Sequence, residues 1–289
     1  MASMRMSVSR IASAPAVFAA GVFFLAGLHP SDANAQASYT LPASIAQSGT
    51  VNVGTSLQWP PYVFRDEAGN PAGFDIELVN SLADELGVKV NITAVQFPAI
   101  IPGLQSGRFD LAVNEIFDTV ARQEIVDLVD YLNVGLTVLV AGDPSEYSVD
   151  DLCGHSVALT AGTAQIAHAE KLSSECEAKG KQPIGMVELP DSAQGMTAVA
   201  SGRADFLFAD SAVGKYIEET TGTLKAVPGT VPGTRGLVGI AVAKGNAELA
   251  GALQGALEAL IEDGRYGELL DKYGLGDSGV EKVTVNGTK

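Results

Sequence analysis

Leu104-Gln105-Ser106-Gly107-Arg108-Phe109-Asp110 and Val199-Ala200-Ser201-Gly202-Arg203-Ala204-Asp205 are the stretches on which the fold turns. Each reads as the end of a helix, a Ser-Gly-Arg stop, an aspartate and then an apolar strand, 111–113 in the first copy and 206–209 in the second. A glycine just past the last periodic residue is a helix-stop signal. Five residues after its aspartate each copy reaches a second acid, Glu115 and Asp210. Val53-Gly54-Thr55 and Ala161-Gly162-Thr163 add a second echo, a Gly-Thr turn at the end of a short β run. Ser-Gly-x-x-Asp by itself is a common helix ending. The matched elements around it and the matched acid point to two similar α/β lobes.

The flanking segments keep the same alternation. Gly73-Phe74-Asp75 opens a helix with Ile76, Val79, Leu82, Ala83 and Leu86 on one face, stopped by Gly87. Val88, Val90, Ile92 and Ala94 alternate as a strand, and Ile100, Ile101 and Leu104 mark a short helix. In the second half, strands are expected at 156–160, 184–189 and 239–243. Helices are expected at 162–179, 193–200, 246–263 and 265–273. Ser148 to Asp151 reads as a capping box before a further short helix. Residues 36–48 read as an irregular leader, and 227–236, rich in Gly and Pro, as a connector.

Composition bounds the function. The chain has 289 residues and a formal net charge of −16, from 34 acidic and 18 basic side chains. That length fits two compact units, and 46% hydrophobic residues can build their cores. The acidic balance argues against a nucleic-acid groove, which needs a basic footprint, and against an anionic membrane surface. Two cysteines and three histidines leave little material for a zinc site, and no metal or cofactor is expected. HExxH, CxxC and P-loop patterns do not occur in the sequence.

The first residues read as an address. Arg5 and Arg10 give a basic start, and 16–28 form an apolar run of 13 residues. A spanning helix needs ~20. Ala33-Asn34-Ala35 then supplies an A-x-A cleavage pattern. Residues 1–35 are therefore expected to be a signal peptide, with no cysteine near the cut for a lipid anchor and the periplasm as destination. In that oxidising compartment the only two cysteines, Cys153 and Cys176, read as one disulfide.

In open α/β sheets ligands bind beyond the carboxyl ends of the strands, and two such lobes face to face make a cleft. Residues placed there are Ser56, Trp59, Asn114, Glu115, Ile116, Phe117, Thr163, Ala164, Gln165 and Asp210. Thr163 to Gln165 open a helix, whose free N–H groups favour an anion. Arg122, eight residues beyond Asn114, can offer a planar fork to a carboxylate. Asp210 can take a cation, or cap the helix that starts near Ser211. An anion site and a cation site in one cleft fit a zwitterion.

A longer ordered set of short matches becomes specific. It runs through Val53-Gly54-Thr55, Trp59-Pro60-Pro61-Tyr62, Gly73-Phe74-Asp75-Ile76-Glu77, Ile101-Pro102-Gly103-Leu104 and Asp118-Thr119-x-x-Arg122. It continues through Ala161-Gly162-Thr163, Gly202-Arg203-Ala204-Asp205, Asp263-Gly264-Arg265-Tyr266 and Lys272-Tyr273-Gly274. In this set the chain resembles the periplasmic solute-binding proteins of the polar amino-acid uptake family, the receptors of ABC importers. The resemblance implies a two-lobed periplasmic binding fold of type II, with two Rossmann-like lobes and two hinge crossings. One lobe would comprise 36–136 and 236–289, and the other 137–235.

Carried over by position, Arg122 is similar to the arginine that grips the ligand's α-carboxylate, helped by Thr163, Ala164 and Gln165. Asp210 is similar to the acid that grips the α-ammonium, and Trp59 and Phe97 to the aromatic pair that sandwiches the side chain. Gly73, Phe74 and Asp75 look structural. Three positions depart from the pattern. Phe117 stands where many members keep Ser or Thr, Ser56 where receptors of basic ligands often have Asp, and Glu115 where many have a small polar residue. Basic, polar neutral and apolar side chains all stay open as ligands. The function implied is a monomeric receptor that delivers an amino acid to membrane permease subunits. The competing reading is a periplasmic lyase of the same fold, similar to cyclohexadienyl dehydratase, with Glu115 as general acid.

Overall fold

Uncharged apolar runs cannot leave a face in water, so they settle at the centres of sheets. In the computed structural model, which describes residues 39–289, two sheets form in this way, and the expected signal peptide lies outside the described residues. The chain begins with α1 (Ala43–Ser48), β1 (Thr50–Thr55) and a hairpin of β2 (Phe64–Arg65) and β3 (Pro71–Ala72). It continues through α2 (Phe74–Leu86), β4 (Lys89–Ala94), α3 (Ile100–Gln105), β5 (Leu111–Ala112), α4 (Val120–Gln123) and β6 (Val126–Val134). Next come β7 (Thr137–Val140), β8 (Ser156–Thr160), α5 (Gln165–Ala178), β9 (Gly185–Leu189), α6 (Ser192–Ala200), β10 (Phe206–Ala209), α7 (Ser211–Thr220) and β11 (Lys225–Ala226). β12 (Gly236–Ala243), α8 (Ala247–Glu262) and α9 (Arg265–Tyr273) follow.

The sheet orders are β4-β1-β5-β12-β6 and β9-β8-β10-β7-β11. Position by position they match. Each has three parallel strands, then a fourth and a fifth that each run antiparallel to the strand before. The sequence repeat is thus a repeat of topology, with β5 and β10, the strands after the two Ser-Gly-Arg stops, in equivalent central places. The chain passes between the sheets twice, from β6 to β7 and from β11 to β12. The two passages lie side by side. Val231 N donates to Leu136 O at 2.6 Å, and Leu136 N to the buried Thr234 Oγ1 at 3.1 Å.

The helices bury the faces their periodicity marks. Ile76, Val79, Leu82 and Ala83 of α2 are buried, as are Leu249, Leu253, Leu257 and Leu260 of α8. Those two helices pack on each other, and α8 also packs on β6. Gly87 ends α2 in the left-handed conformation that a C-terminal glycine allows. Cys153 and Cys176 are bonded, tying the turn before β8 to α5. Among the described residues no helix is long and apolar enough to cross a membrane.

Two expectations need correction, and one strand was not foreseen. Ser148 to Asp151 starts no helix. Ser148 Oγ accepts Asp150 N and Asp151 Oδ1 accepts Cys153 N, local bonds that compete with helix formation. Gly154, at φ 81°, then turns the chain directly into β8. Within the segment read as an irregular leader, 43–48 is the helix α1, anchored by buried Ile45. The nine-residue strand β6 escaped notice because Asp127 and Asp130 interrupt its apolar pattern. Asp130 is buried there under the C-terminal tail, whose Thr284 and Gly287 bond its carboxylate.

Candidate functional site

A cavity of about 690 Å³, its open mouth included, lies between the strand ends of the two sheets. Ser56, Trp59, Phe97, Asn114, Glu115, Phe117 and Arg122 reach it from the first half, and Thr163, Ala164 and Gln165 from the second. Of the residues expected at the cleft, Ile116 points into the core and does not line it, and neither does Asp210. Asp210 is buried behind the lining, close to Glu115.

Arg122 is placed by a cap. The Thr119 hydroxyl accepts Arg122 N at 3.2 Å and turns α4 back toward the cleft. The side chain is 9% exposed. Its Nη1 donates to Phe117 O at 2.8 Å, and its Nη2 to Gly162 O at 3.0 Å, beyond the end of β8 in the other sheet. The guanidinium sits 5.8 Å from the centre of the Phe97 ring, within cation–π range. Among the described residues no carboxylate lies within ion-pair distance of it. Burial pushes the guanidinium down to about 10, and the charge of nearby Asp118 opposes that shift.

The start of α5 lines the same cavity. Ala164 occupies its cap position and offers no side-chain bond, and the Thr163 hydroxyl is turned to Thr160 O at 2.7 Å. Of the first N–H groups of this 14-residue helix, Ile166 N is taken by Thr163 O at 3.4 Å, and no side-chain cap takes the others. Such a helix start favours an anion.

A different part of the site is acidic. Glu115 follows β5 at φ 48°, a conformation uncommon outside glycine. Asp75 of α2 holds it there, accepting Glu115 N at 2.8 Å on one oxygen and Tyr131 OH at 2.7 Å on the other. Trp59 Nε1 donates to Glu115 Oε2, while Glu115 Oε1 is buried without a partner among the described residues. Asp210 caps α7 by accepting Val213 N at 2.9 Å, and Tyr62 OH donates to its other oxygen. The Glu115 and Asp210 carboxyls lie close enough to act on each other's charge. Burial, then the charge of Asp210, pushes Glu115 well above the usual carboxylate range. Burial also raises Asp210, and it pushes Asp75 up to about 6.

Smaller contacts fix the frame. Asn114 Oδ1 accepts Ser56 N at 2.7 Å, joining the ends of β1 and β5. Gly73, at φ 117°, seats the Pro61-Tyr62 loop on α2. A Cβ there would lie 2.2 Å from Tyr62 O. The same loop carries the Tyr62 hydroxyl to Asp210. Sequence reasoning missed Gln58, Asp191 and Ser192, which also line the cavity. Ser192 Oγ donates to Gln58 O at 2.7 Å, a further bond between the two halves. Asp191 and Ser192 follow the end of β9, so the strand-end rule applied to that strand would have found them.

A cleft between two sheets of matching topology, holding a buried guanidinium, an open helix start and a carboxyl pair, defines a two-lobed solute-binding receptor. Over residues 51–276 the sequence matches the bacterial extracellular solute-binding proteins, family 3, and the chain belongs to that family. It is similar to the arginine-binding protein ArgT of Corynebacterium glutamicum, 28% identical over 254 residues that cover 85% of this chain and 81% of that protein. It is likewise similar to the lysine/arginine/ornithine-binding periplasmic protein of Escherichia coli, at 28% identity over 78% of this chain and 87% of that one. Among solved structures, an ancestral arginine-binding protein bound to arginine gives a TM-score of 0.69 at 33% identity, covering 78% of this chain and 98% of that chain. The ancestral amino acid-binding protein AncCDT-1, a precursor of cyclohexadienyl dehydratase, gives 0.70 at 31% identity, covering 80% and 97%.

Proposed function

We propose that the protein captures an α-amino acid between its lobes and, as a monomer in the periplasm, delivers it to the membrane permease subunits of an ABC importer. The observation that carries this reading is Arg122, a buried guanidinium in the cleft wall with no carboxylate in ion-pair range among the described residues. A buried charge is costly unless paired, and a ligand carboxylate supplies the pair. The planar fork takes both carboxylate oxygens, and the N–H groups at the start of α5 add donors. The α-ammonium goes to Glu115, with Asp210 behind it, and Trp59 and Phe97 flank the side chain. In this reading 36–136 and 236–289 form one lobe and 137–235 the other, which the membership of the two sheets and the adjacent passages support.

The acidic groups Glu115 and Asp191 in the lining disfavour an acidic side chain. The two relatives described above are named as binding proteins for arginine and for lysine, arginine and ornithine, so L-arginine is the first ligand to try. Binding without turnover is the proposal. Calorimetry over the twenty common amino acids tests it, and mass spectrometry should recover the bound ligand unchanged. Submillimolar binding of a basic or neutral amino acid is expected. Tight binding of aspartate or glutamate would overturn the acidic-wall argument, and binding of none of the twenty would overturn the whole reading.

A further inference from the structure

Glu115 and Asp210 come to one point from different sheets. Glu115 follows β5 and Asp210 follows β10, the equivalent strands of the repeat, so each lobe contributes one acid to a single carboxyl pair. The pair is enclosed. Trp59 Nε1 and the backbone contact through Asp75 hold Glu115, while Tyr62 OH and Val213 N hold Asp210. Every one of those side chains except Asp210 belongs to the first half of the chain. The titratable groups facing the pair are Asp75 on α2, Tyr62 in the loop after β1, and Tyr131 on β6, and none of them is a cation. Arg122 and Asp191 line the same cavity, but Nη1 and Nη2 of Arg122 each donate to a carbonyl oxygen away from the pair and Asp191 is engaged by Gln194.

One oxygen of the pair, Glu115 Oε1, is buried with no donor among the described residues. Two ionised carboxylates close together, away from water, repel each other, and one proton between them removes the repulsion and satisfies the open oxygen. An ammonium group does the same with its N–H donors. We infer that Glu115 and Asp210 share one proton across the cleft and that the ligand's ammonium displaces it, so that lobe closure is switched by a proton or by a cationic ligand. The displaced proton leaves the carboxyl O–H for solvent, and no other bond changes. The ligand half of this inference rests on the amino-acid reading above, whereas the proton half rests on the pair alone.

Two consequences are measurable. Ammonium binding releases a proton, so affinity weakens as pH falls through the range in which the pair holds its proton, by at most about tenfold per pH unit for one proton. Without ligand, the ionised pair pushes the lobes apart at high pH and lets them meet at low pH. Asp75 and Asp130, pushed up to about 6 and about 7 by burial, belong to the same lobe and bear on its stability rather than on closure.

The test is calorimetry of L-arginine binding between pH 6 and 8, each point in two buffers of different ionisation enthalpy. Release approaching one proton is expected for the unmodified protein and none for Glu115→Gln, whose amide donates to Asp210 and cannot titrate. Zero release by the unmodified protein, or equal release by both, overturns the inference. A ligand-free arm keeps the two proposals separable. By X-ray scattering the radius of gyration should be smaller at pH 5 than at pH 8, and Glu115→Gln should remove that difference. If no amino acid binds but the scattering difference appears, the proton pair stands and the ligand reading falls. If arginine binds but neither proton release nor a scattering difference is seen, the pair falls and the ligand reading stands.

Discussion

Replacing Arg122 by methionine should separate binding from stability, because the guanidinium serves one and strains the other. On the binding side, a ligand carboxylate would lose a bidentate, charge-assisted partner. Truncating one partner of a buried charged pair costs about 2–5 kcal/mol. That is a ~30- to ~5,000-fold rise in Kd. On the stability side, holding the guanidinium at about 10 instead of 12.5 corresponds to about 3 kcal/mol of desolvation. Methionine relieves that term and keeps most of the stem's packing. Against it stand the charge-assisted bonds to Phe117 O and Gly162 O, each worth about 1.5 kcal/mol at the low end for a charged donor. The two terms nearly cancel, so the ligand-free variant should unfold within about 1–2 kcal/mol of the parent. Calorimetric titration reads the first quantity and urea denaturation without ligand the second. A Kd within about threefold of the parent would refute the carboxylate role. A stability loss of about 2–5 kcal/mol, the size of a core truncation, would show that Arg122 is a structural residue.

Trp59 is the only tryptophan of the chain and lines the cavity, so ligand should change the intrinsic fluorescence, and Trp59→Phe should abolish the signal. The Cys153–Cys176 bridge spans a sequence separation of 23, and its removal by paired serine substitution should cost ~3 kcal/mol in urea denaturation. Asp75 and Asp130 are raised to about 6 and about 7, so their contribution is fully present below the unfolded carboxylate value and is lost as pH rises through 6 to 7. The urea midpoint of the ligand-free protein should therefore be higher at pH 5 than at pH 8, and Asp130→Asn should flatten the upper part of that slope.

What the sequence made legible is what period and punctuation encode. The two Ser-Gly-Arg stops, the Gly-Thr turns and the apolar faces of α2 and α8 place strand ends opposite one another, and from strand ends the cleft follows. The lining could be named because a residue's position after a strand depends on its neighbours in sequence. Ser148 to Asp151 shows the limit of such local words. The same side-chain bonds that could cap a helix close a tight turn when a glycine and a strand follow at once.

Direction is a different quantity, because it is set by partners far away in sequence. Phe117 has no hydroxyl to offer, yet Arg122 takes its backbone carbonyl, and the ring lies against Gly236 at the start of β12. Asp210 was open to two readings, helix cap or cleft acid. Its two oxygens divide between those settings, one to Val213 N and the other to Tyr62 OH from the other lobe. Glu115 is the strongest case. Its left-handed backbone is held by Asp75, 40 residues earlier, and its carboxyl is buried near Asp210. An acid after a strand is ordinarily a hydrated charge at neutral pH. Buried against a second acid from the other lobe, it becomes a site that demands a proton or a cation, and that demand arises only when the lobes meet.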